Sequence, residues 1–421
     1  MFIRSLPKEW GYFIACGVDE AIDLACSLRF NDTDIAYLRQ QDLFTEEFLN
    51  HLKEFKFDGD IHAVPEGTPV FPNEPILRIT GKRGQVQLVE SLILNTINPQ
   101  TLIASKASRI VNVANPSSVV DFGLRRAQGK SAALRGARAA YIGGAVATSN
   151  VLAGKNYDIP IRGTHAHSFV MSYPTELEAF RAYARHFPDS CVLLVDTYSV
   201  HQGILNAITV GKELQKDGHN LVGIRLDSGD LISLSKWARL KLNTAGLNQA
   251  KIFASNDLNE YKIKDIQLFE GAIDVFGVGT EMITAKPQAA LSGVYKLVQD
   301  PFGPRMKKSP QKKSYPGIKN VVRKINGDKY IFDTLCLEEE KICLEEEPGE
   351  KLLKETVVCG ERLFEKLSVH KIRKYSLSCV DKLQPYLKAV DDEALSRTEY
   401  TVEISDDLKN MIESLSRECQ N

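Results

Sequence analysis

Between residues 119 and 280 the chain alternates short apolar or β-branched runs with longer segments of helical periodicity. The runs are "SVVDFG", "IPIRGTH", "CVLLVDTY", "LVGIRLDSGD", "KIFASND" and "IDVFGVGT", spaced about 25 to 35 residues apart. Between them lie "TELEAFRAYARHF", "GILNAITVGKELQKDG" and "DLISLSKWARLKLNTAG", whose apolar residues recur at helical intervals. Strands separated by helices of this length are repeated βα units, so the pattern predicts a parallel sheet, most economically a barrel. Residues 1–115 read differently, as an α+β region. Helical patterns such as "VDEAIDLACSLRFNDTDIAYL" precede a Pro/Gly-punctuated β-rich piece, "FDGDIHAVPEGTPVFPNEPILRITGKRG", and a long helical stretch follows it. Beyond about residue 300 the chain turns charged and irregular, and it ends on a helical "SDDLKNMIESLSRECQ". The expected domains are 1–115, 116–300 and 301–421.

Composition narrows the partners. The 421 residues carry 53 Lys+Arg against 54 Asp+Glu and are 43% hydrophobic, enough for one or two packed cores. Such a balance leaves no basic footprint, so nucleic acid is not an expected partner. Neither a signal peptide nor an apolar run of membrane-spanning length is evident, and the reading is a soluble, cytoplasmic protein. Cys16, Cys26, Cys191, Cys336, Cys343, Cys359, Cys379 and Cys419 form no C-x-x-C pair. Reduced thiols are expected, with a zinc site of the four central ones as the lesser alternative.

Polar residues collect where the predicted strands end: Asp121, Phe122 and Arg125; Thr164, His165 and His167; Asp196 and Thr197; Arg225 and Asp227; Ser255, Asn256 and Asp257; Gly277, Gly279 and Thr280. In (β/α) barrels those ends form the active-site face. Capping of the following helices explains the Asp, Ser and Asn equally well, but not the arginines. In an extended chain His165 and His167 project to one side, as metal ligands, as a catalytic group beside a spectator, or as a polar strand end. A barrel metallohydrolase would need later histidines, and after residue 219 the chain has His370 alone, beyond the barrel pattern. Gly277, Gly279 and Thr280 offer amides for a phosphate or form a tight turn. Arg225 and Asp227 offer a planar cation and a carboxylate to a flat anionic ligand with hydroxyls, or form a buried pair. "DFGLRRAQG" sets an aromatic before Arg125 and Arg126, for stacking and phosphates or as a solvated loop. The basic loop 306–313, by itself, reads as surface.

"DFGLRRAQG", "TSNVLAG", "GTHAHSFVMSY", "GIRLDSGDL", "FASNDLNE", "DVFGVGT" and "GVYKLV", in this order and spacing, resemble the nicotinate phosphoribosyltransferase family. "KKSPQKKSYPGIKNVVRK" and "YTVEISDDLK" extend the resemblance over almost the whole chain. It implies an α/β fold, an irregular (β/α) barrel with a smaller α+β domain formed from both chain ends, residues 301–421 packing back on the N-terminal domain. It also implies a homodimer with active sites at the interface. The implied reaction joins nicotinate to 5-phosphoribosyl 1-pyrophosphate in NAD salvage, with Mg2+ and with ATP hydrolysed through a phosphohistidine. The family motif Gly-Thr-x-x-His ends on His167, which resembles the phosphate-accepting histidine, and Asp227 joins it as catalytic. By the same resemblance Phe122, Arg125, Ser149, Thr164, Arg225 and Asn256 are substrate contacts, and Gly277, Gly279 and Thr280 phosphate contacts. The metal ligands are not assigned. Ser149 falls where related nicotinamide-specific enzymes carry an aspartate, which would repel a carboxylate. Family members also carry an upstream Thr-Asp-x-Tyr-x-Leu-Thr-Met segment whose tyrosine reaches the neighbouring subunit's nicotinate site. The sequence begins past that point, and the alternative expectation is a catalytically weakened nucleotide-binding homologue.

Overall fold

The computed structural model describes residues 1–307, 309, 314–340, 349–390 and 399–418. Cys343, Cys419 and positions 308 and 310–313 of the basic loop lie outside the described residues. The chain divides into two compact units, one of Met1–Leu102 with Ala290–Asn421 and one of Ile103–Ala289. Among the described residues no helix is long and apolar enough to cross a membrane.

The second unit is built on six parallel strands: β1 (Ser118–Asp121), β2 (Ala147–Thr148), β3 (Val192–Leu194), β4 (Gly223–Leu226), β5 (Lys251–Ala254) and β6 (Val275–Val278). Their order across the sheet is β2-β1-β6-β5-β4-β3. Each strand therefore lies beside its neighbour in sequence, as around a barrel, with a break between β2 and β3. Helices Lys130–Ile142, Val200–Lys216, Leu231–Thr244 and Glu260–Leu268 make crossovers, and side-chain caps from Ser199, Asp230 and Asn259 start the last three. Lys106 and Arg109, both buried, pair with Glu260 at 2.5 and 3.2 Å and fix the start of the helix after β5. At Gly203 the helix after β3 approaches its strand closely, since a Cβ there would stand 1.9 Å from the Val195 carbonyl oxygen.

The break in the barrel corrects one expectation. "IPIRGTH" does not form a full strand; it makes one parallel bridge, Ile161 to Thr148. Pro160 has no N–H to give a ladder. The chain then turns, and His167 opens the helix His167–Met171, so the two histidines do not share a strand face. His165 points inward, 7% exposed, among the rings of Phe169, Phe180 and Tyr183. Its Nε2 accepts the Leu194 N–H of β3 at 3.2 Å, a side-chain bond made where the backbone ladder is interrupted. Burial pushes its pKa down to about 4.

The first unit holds two four-stranded sheets. One runs Gly349–Lys351, Lys319–Asn326, Lys329–Leu337, Val402–Ile404, and the other Glu361–Arg362, Lys354–Val358, Asp60–Ala63, Leu77–Thr80. Arg323, on the strand Lys319–Asn326, is fully buried: it donates to Asp333 at 2.9 Å and to the Pro69 carbonyl at 2.9 Å, with the Phe71 and Tyr330 rings beside its guanidinium.

Two consequences are measurable. Gly203→Ala forces the crossover helix off β3 and is expected to cost about 1–3 kcal/mol, read as a lower urea midpoint at unchanged m-value. His165 is neutral when folded, whereas in the unfolded chain its pKa is the ordinary 6.5. The unfolded state therefore binds the extra proton between pH 6.5 and 4, and stability falls as pH drops through that window, by on the order of 3 kcal/mol. His165→Gln should flatten this stretch of the stability–pH curve; a curve unchanged by the substitution would assign the acid loss to other groups.

Candidate active site

The carboxyl ends of the strands bring most of the expected residues together. Arg225 in β4 and Asp227 just past its end are two positions apart, so both side chains leave the same face, and Arg225 Nη2 donates to Asp227 Oδ1 at 2.9 Å. Arg225 Nη1 donates to the Thr164 hydroxyl at 2.9 Å, and Nε to the Ser255 hydroxyl at 2.8 Å. Ser255 in turn donates to Asp227 Oδ1 in a short hydrogen bond. The Arg225 guanidinium carbon stands 5.5 Å from the centre of the Phe122 ring. His167 faces the other carboxylate oxygen, Nε2 to Asp227 Oδ2 at 3.5 Å, while its Nδ1 lies 3.2 Å from the Thr197 hydroxyl.

Asp227 is half-buried, and burial alone would raise its carboxyl. The Arg225 charge, the hydrogen bonds from Ser255 and Arg225, and the nearby His167 together outweigh that, holding it below the ordinary value. Asp196, at the end of β3, accepts from the Asp227 N–H at 2.8 Å and the Ser228 hydroxyl at 2.6 Å through Oδ2, while its Oδ1 is buried with no hydrogen-bond partner among the described residues.

Phe122 owes its position to both neighbours in the sheet. Its N–H donates to the Val278 carbonyl at 2.8 Å. Gly277 lies inside β6, where a Cβ would stand 2.4 Å from the Phe122 ring, so the missing side chain makes the seat for the aromatic. Asp121, whose carboxyl is pushed up by burial, accepts from the Thr148 hydroxyl at 2.7 Å and the Gly123 N–H at 2.8 Å; its carbonyl accepts the Ser149 N–H at 2.8 Å. Ser149 and Phe122 are thereby held to one strand end. After Ser255, Asn256 and Asp257 have φ of 108° and 43°, left-handed values that non-glycine residues rarely adopt, which turn the chain sharply away.

Beside the loops after β1, β5 and β6 lies a cavity of about 650 Å³ lined by Arg126, Asp257, Asn259, Lys262, Thr280, Glu281 and Lys286. Gly279 precedes the short helix Thr280–Ile283, and Thr280 faces this cavity. Both arginines of the 3-10 turn are exposed, and of the two it is Arg126 that lines the cavity; Asn256 is exposed at its own loop. Lys262, Glu281 and Lys286 carried no signal in the sequence, because the first two sit on the helices after the loops and Lys286 on the turn that follows the second helix. Ser255, Asp196 and Thr197 were visible as strand-end polar residues, but their partners were not.

With this geometry in hand, relatives can be compared. Residues 1–98 match the model of the nicotinate phosphoribosyltransferase (NAPRTase) N-terminal domain and residues 117–299 that of the nicotinate phosphoribosyltransferase (NAPRTase) family. The chain is 40% identical over 407 residues to nicotinate phosphoribosyltransferase pncB2 of Mycobacterium tuberculosis, spanning 96% of this chain and 86% of that one. It is 44% identical over 351 residues to nicotinate phosphoribosyltransferase of Bacillus subtilis, spanning 81% and 71%. Its fold matches the crystal structure of human nicotinic acid phosphoribosyltransferase with a TM-score of 0.86 at 27% identity, covering 98% of this chain and 94% of that one. Similarity that is continuous from the first residues through the barrel, and a site at the strand ends, lead to one conclusion: the chain is an enzyme of the nicotinate phosphoribosyltransferase family.

Proposed function

We propose that this enzyme joins nicotinate to 5-phosphoribosyl 1-pyrophosphate in NAD salvage, giving nicotinate mononucleotide and pyrophosphate, and that ATP hydrolysis is coupled to the transfer through a phosphate carried on His167. The observation that carries the reading is the Arg225 guanidinium held beside the Phe122 ring at 5.5 Å. A pyridine carboxylate needs a flat apolar face for its ring and a planar cation for its charge.

The pyridine nitrogen has a free lone pair, so attack on the ribose carbon requires no general base. The residues orient the ring and neutralise the departing pyrophosphate. Phe122 stacks the pyridine, Arg225 takes its carboxylate, and Ser149 leaves room where an aspartate would repel it. Gly277 serves the pyridine end, by seating Phe122. Gly279 and Thr280, with Arg125 and the Arg126 and Lys262 side of the 650 Å³ cavity, suit the phosphates. Asp227 and Asn256 belong to the ribose side. Magnesium takes oxygen donors, but among the described residues no three carboxylate, histidine or cysteine side chains lie together to hold an ion, so the chain's own residues do not build a magnesium site.

His167 suits phosphate transfer in a definite tautomer. In the tautomer that suits it, Nε2 carries the proton and faces the Asp227 carboxylate at 3.5 Å, and Nδ1 keeps its lone pair 3.2 Å from the Thr197 hydroxyl. We further propose a cytoplasmic homodimer, the state the motif resemblance implies.

The test is a steady-state assay with nicotinate, 5-phosphoribosyl 1-pyrophosphate, magnesium and γ-labelled ATP. Wild-type protein should form nicotinate mononucleotide and an acid-labile phosphoenzyme. His167→Ala should lose the label and the ATP hydrolysis yet keep transfer slower by about two orders of magnitude, because the pyridine and phosphate contacts remain. Label persisting in His167→Ala would defeat the phosphohistidine assignment.

A further inference from the structure

Ser255 directly follows β5 with its side chain buried, and the reaction proposed above uses it in no step. Its contacts are unusual for a residue without a task. A guanidinium has five N–H donors. Three of those on Arg225 are engaged: Nε by Ser255, Nη1 by Thr164 and Nη2 by Asp227. Ser255 accepts from Nε and passes its own hydrogen to Asp227 Oδ1, the same oxygen that Nη2 reaches. Hydroxyl and carboxylate thus form one hydrogen-bonded pair along the edge of the cation.

What is left on Arg225 is one donor on each terminal nitrogen. A carboxylate meets two such donors with two acceptor oxygens. A carboxamide meets them with one oxygen and one NH2 group, which sets a donor against a donor. The discrimination depends on the guanidinium keeping its orientation beside the Phe122 face. Nε is the donor nearest the main chain, and its bond to Ser255 restrains the torsion about which the planar group would swing.

We propose that Ser255 is the positioning residue through which the site selects a ring carboxylate over a ring carboxamide, by holding the Arg225 donors in register with the Phe122 ring; this rests on the nicotinate reading above. The serine touches no substrate. Through Arg225 it acts on the pyridine, its second bond bears on the Asp227 carboxylate, and it touches none of the phosphate contacts.

The experiment compares Ser255→Ala, which removes the hydroxyl, with Ser255→Thr, which keeps it. Nicotinate, 5-phosphoribosyl 1-pyrophosphate and nicotinamide kinetics are measured for each. Ser255→Ala is expected to raise KM for nicotinate about tenfold, to leave KM for 5-phosphoribosyl 1-pyrophosphate within about twofold, and to lower the nicotinate-to-nicotinamide ratio of kcat/KM by about tenfold. Ser255→Thr should recover most of each change. The acid limb of the kcat/KM profile should also move to higher pH in Ser255→Ala, since Asp227 loses a donor to its charged form. Both KM values rising in step, or an unchanged substrate ratio in folded Ser255→Ala protein, would overturn the proposal. Should Ser255→Ala fail to fold, Ser255→Cys, which keeps the volume and weakens both bonds, must give the same split between substrates. A wild-type protein that forms no nicotinate mononucleotide brings down the function reading, and this proposal with it.

Discussion

Everything at the strand ends depends on keeping a guanidinium and a carboxylate charged together while half out of water. Taking Asp227 from solvent costs free energy, and Arg225 returns it only because the pair is further bonded on both sides, by Ser255, Thr164 and His167. Removing one partner would leave the other desolvated and alone, at a cost of a few kcal/mol. The members come from different turns of the barrel. Arg225 belongs to β4 and Asp227 follows its end, Ser255 follows β5, Thr164 and His167 belong to the segment after Ile161, and Thr197 to the loop after β3. They meet because Phe253 pairs with Arg225 and Ala254 with Leu226 in the parallel ladder. A slip of one residue would turn Arg225 and Asp227 to the other face together.

Much of this was legible in the amino-acid order. Alternating βα segments predicted the parallel sheet, since buried parallel strands read as short apolar runs and their crossovers as amphipathic helices. The polar residues that follow those runs do meet at the strand ends, where Arg225, Asp227, Thr164 and Ser255 bond one another. Legibility stopped where strands became too short to show a pattern. Ala147–Thr148 is two residues long, and "IPIRGTH" carries a strand-like composition yet makes only the single bridge from Ile161 to Thr148. Polar partners were hidden too. Nothing in "FASND" tells that Ser255 bonds Arg225, because that contact is made between strands whose register no single-strand pattern reveals. Nor does "DVFGVGT" show that Gly277, inside β6, leaves the room the Phe122 ring fills.

The histidine pair shows how far two like residues are separated by surroundings. His165 and His167 are two positions apart, yet one is sealed among aromatic rings and kept neutral, while the other sits 40% exposed between a hydroxyl and a carboxylate. The first spends its lone pair on the Leu194 N–H and thereby ties a broken barrel; the second keeps both nitrogens at the surface of the site. Chemistry follows from access, and access from where Pro160 and the turn after it end the strand.

The first unit's discontinuity bears on how the protein is made. Strand Asp60–Ala63 finds one neighbour, Leu77–Thr80, almost at once, but its other edge pairs with Lys354–Val358, about 290 residues later. At about 5–20 residues per second of synthesis, that edge stays open for roughly 15 to 60 s after it leaves the ribosome. Residues 103–289 contain every strand of their own sheet and can close in the meantime. An unpaired strand edge is a template for wrong partners. The nascent chain is therefore most exposed to misassembly while its barrel is already finished, and a holding chaperone would find its target in the unit formed by the two ends.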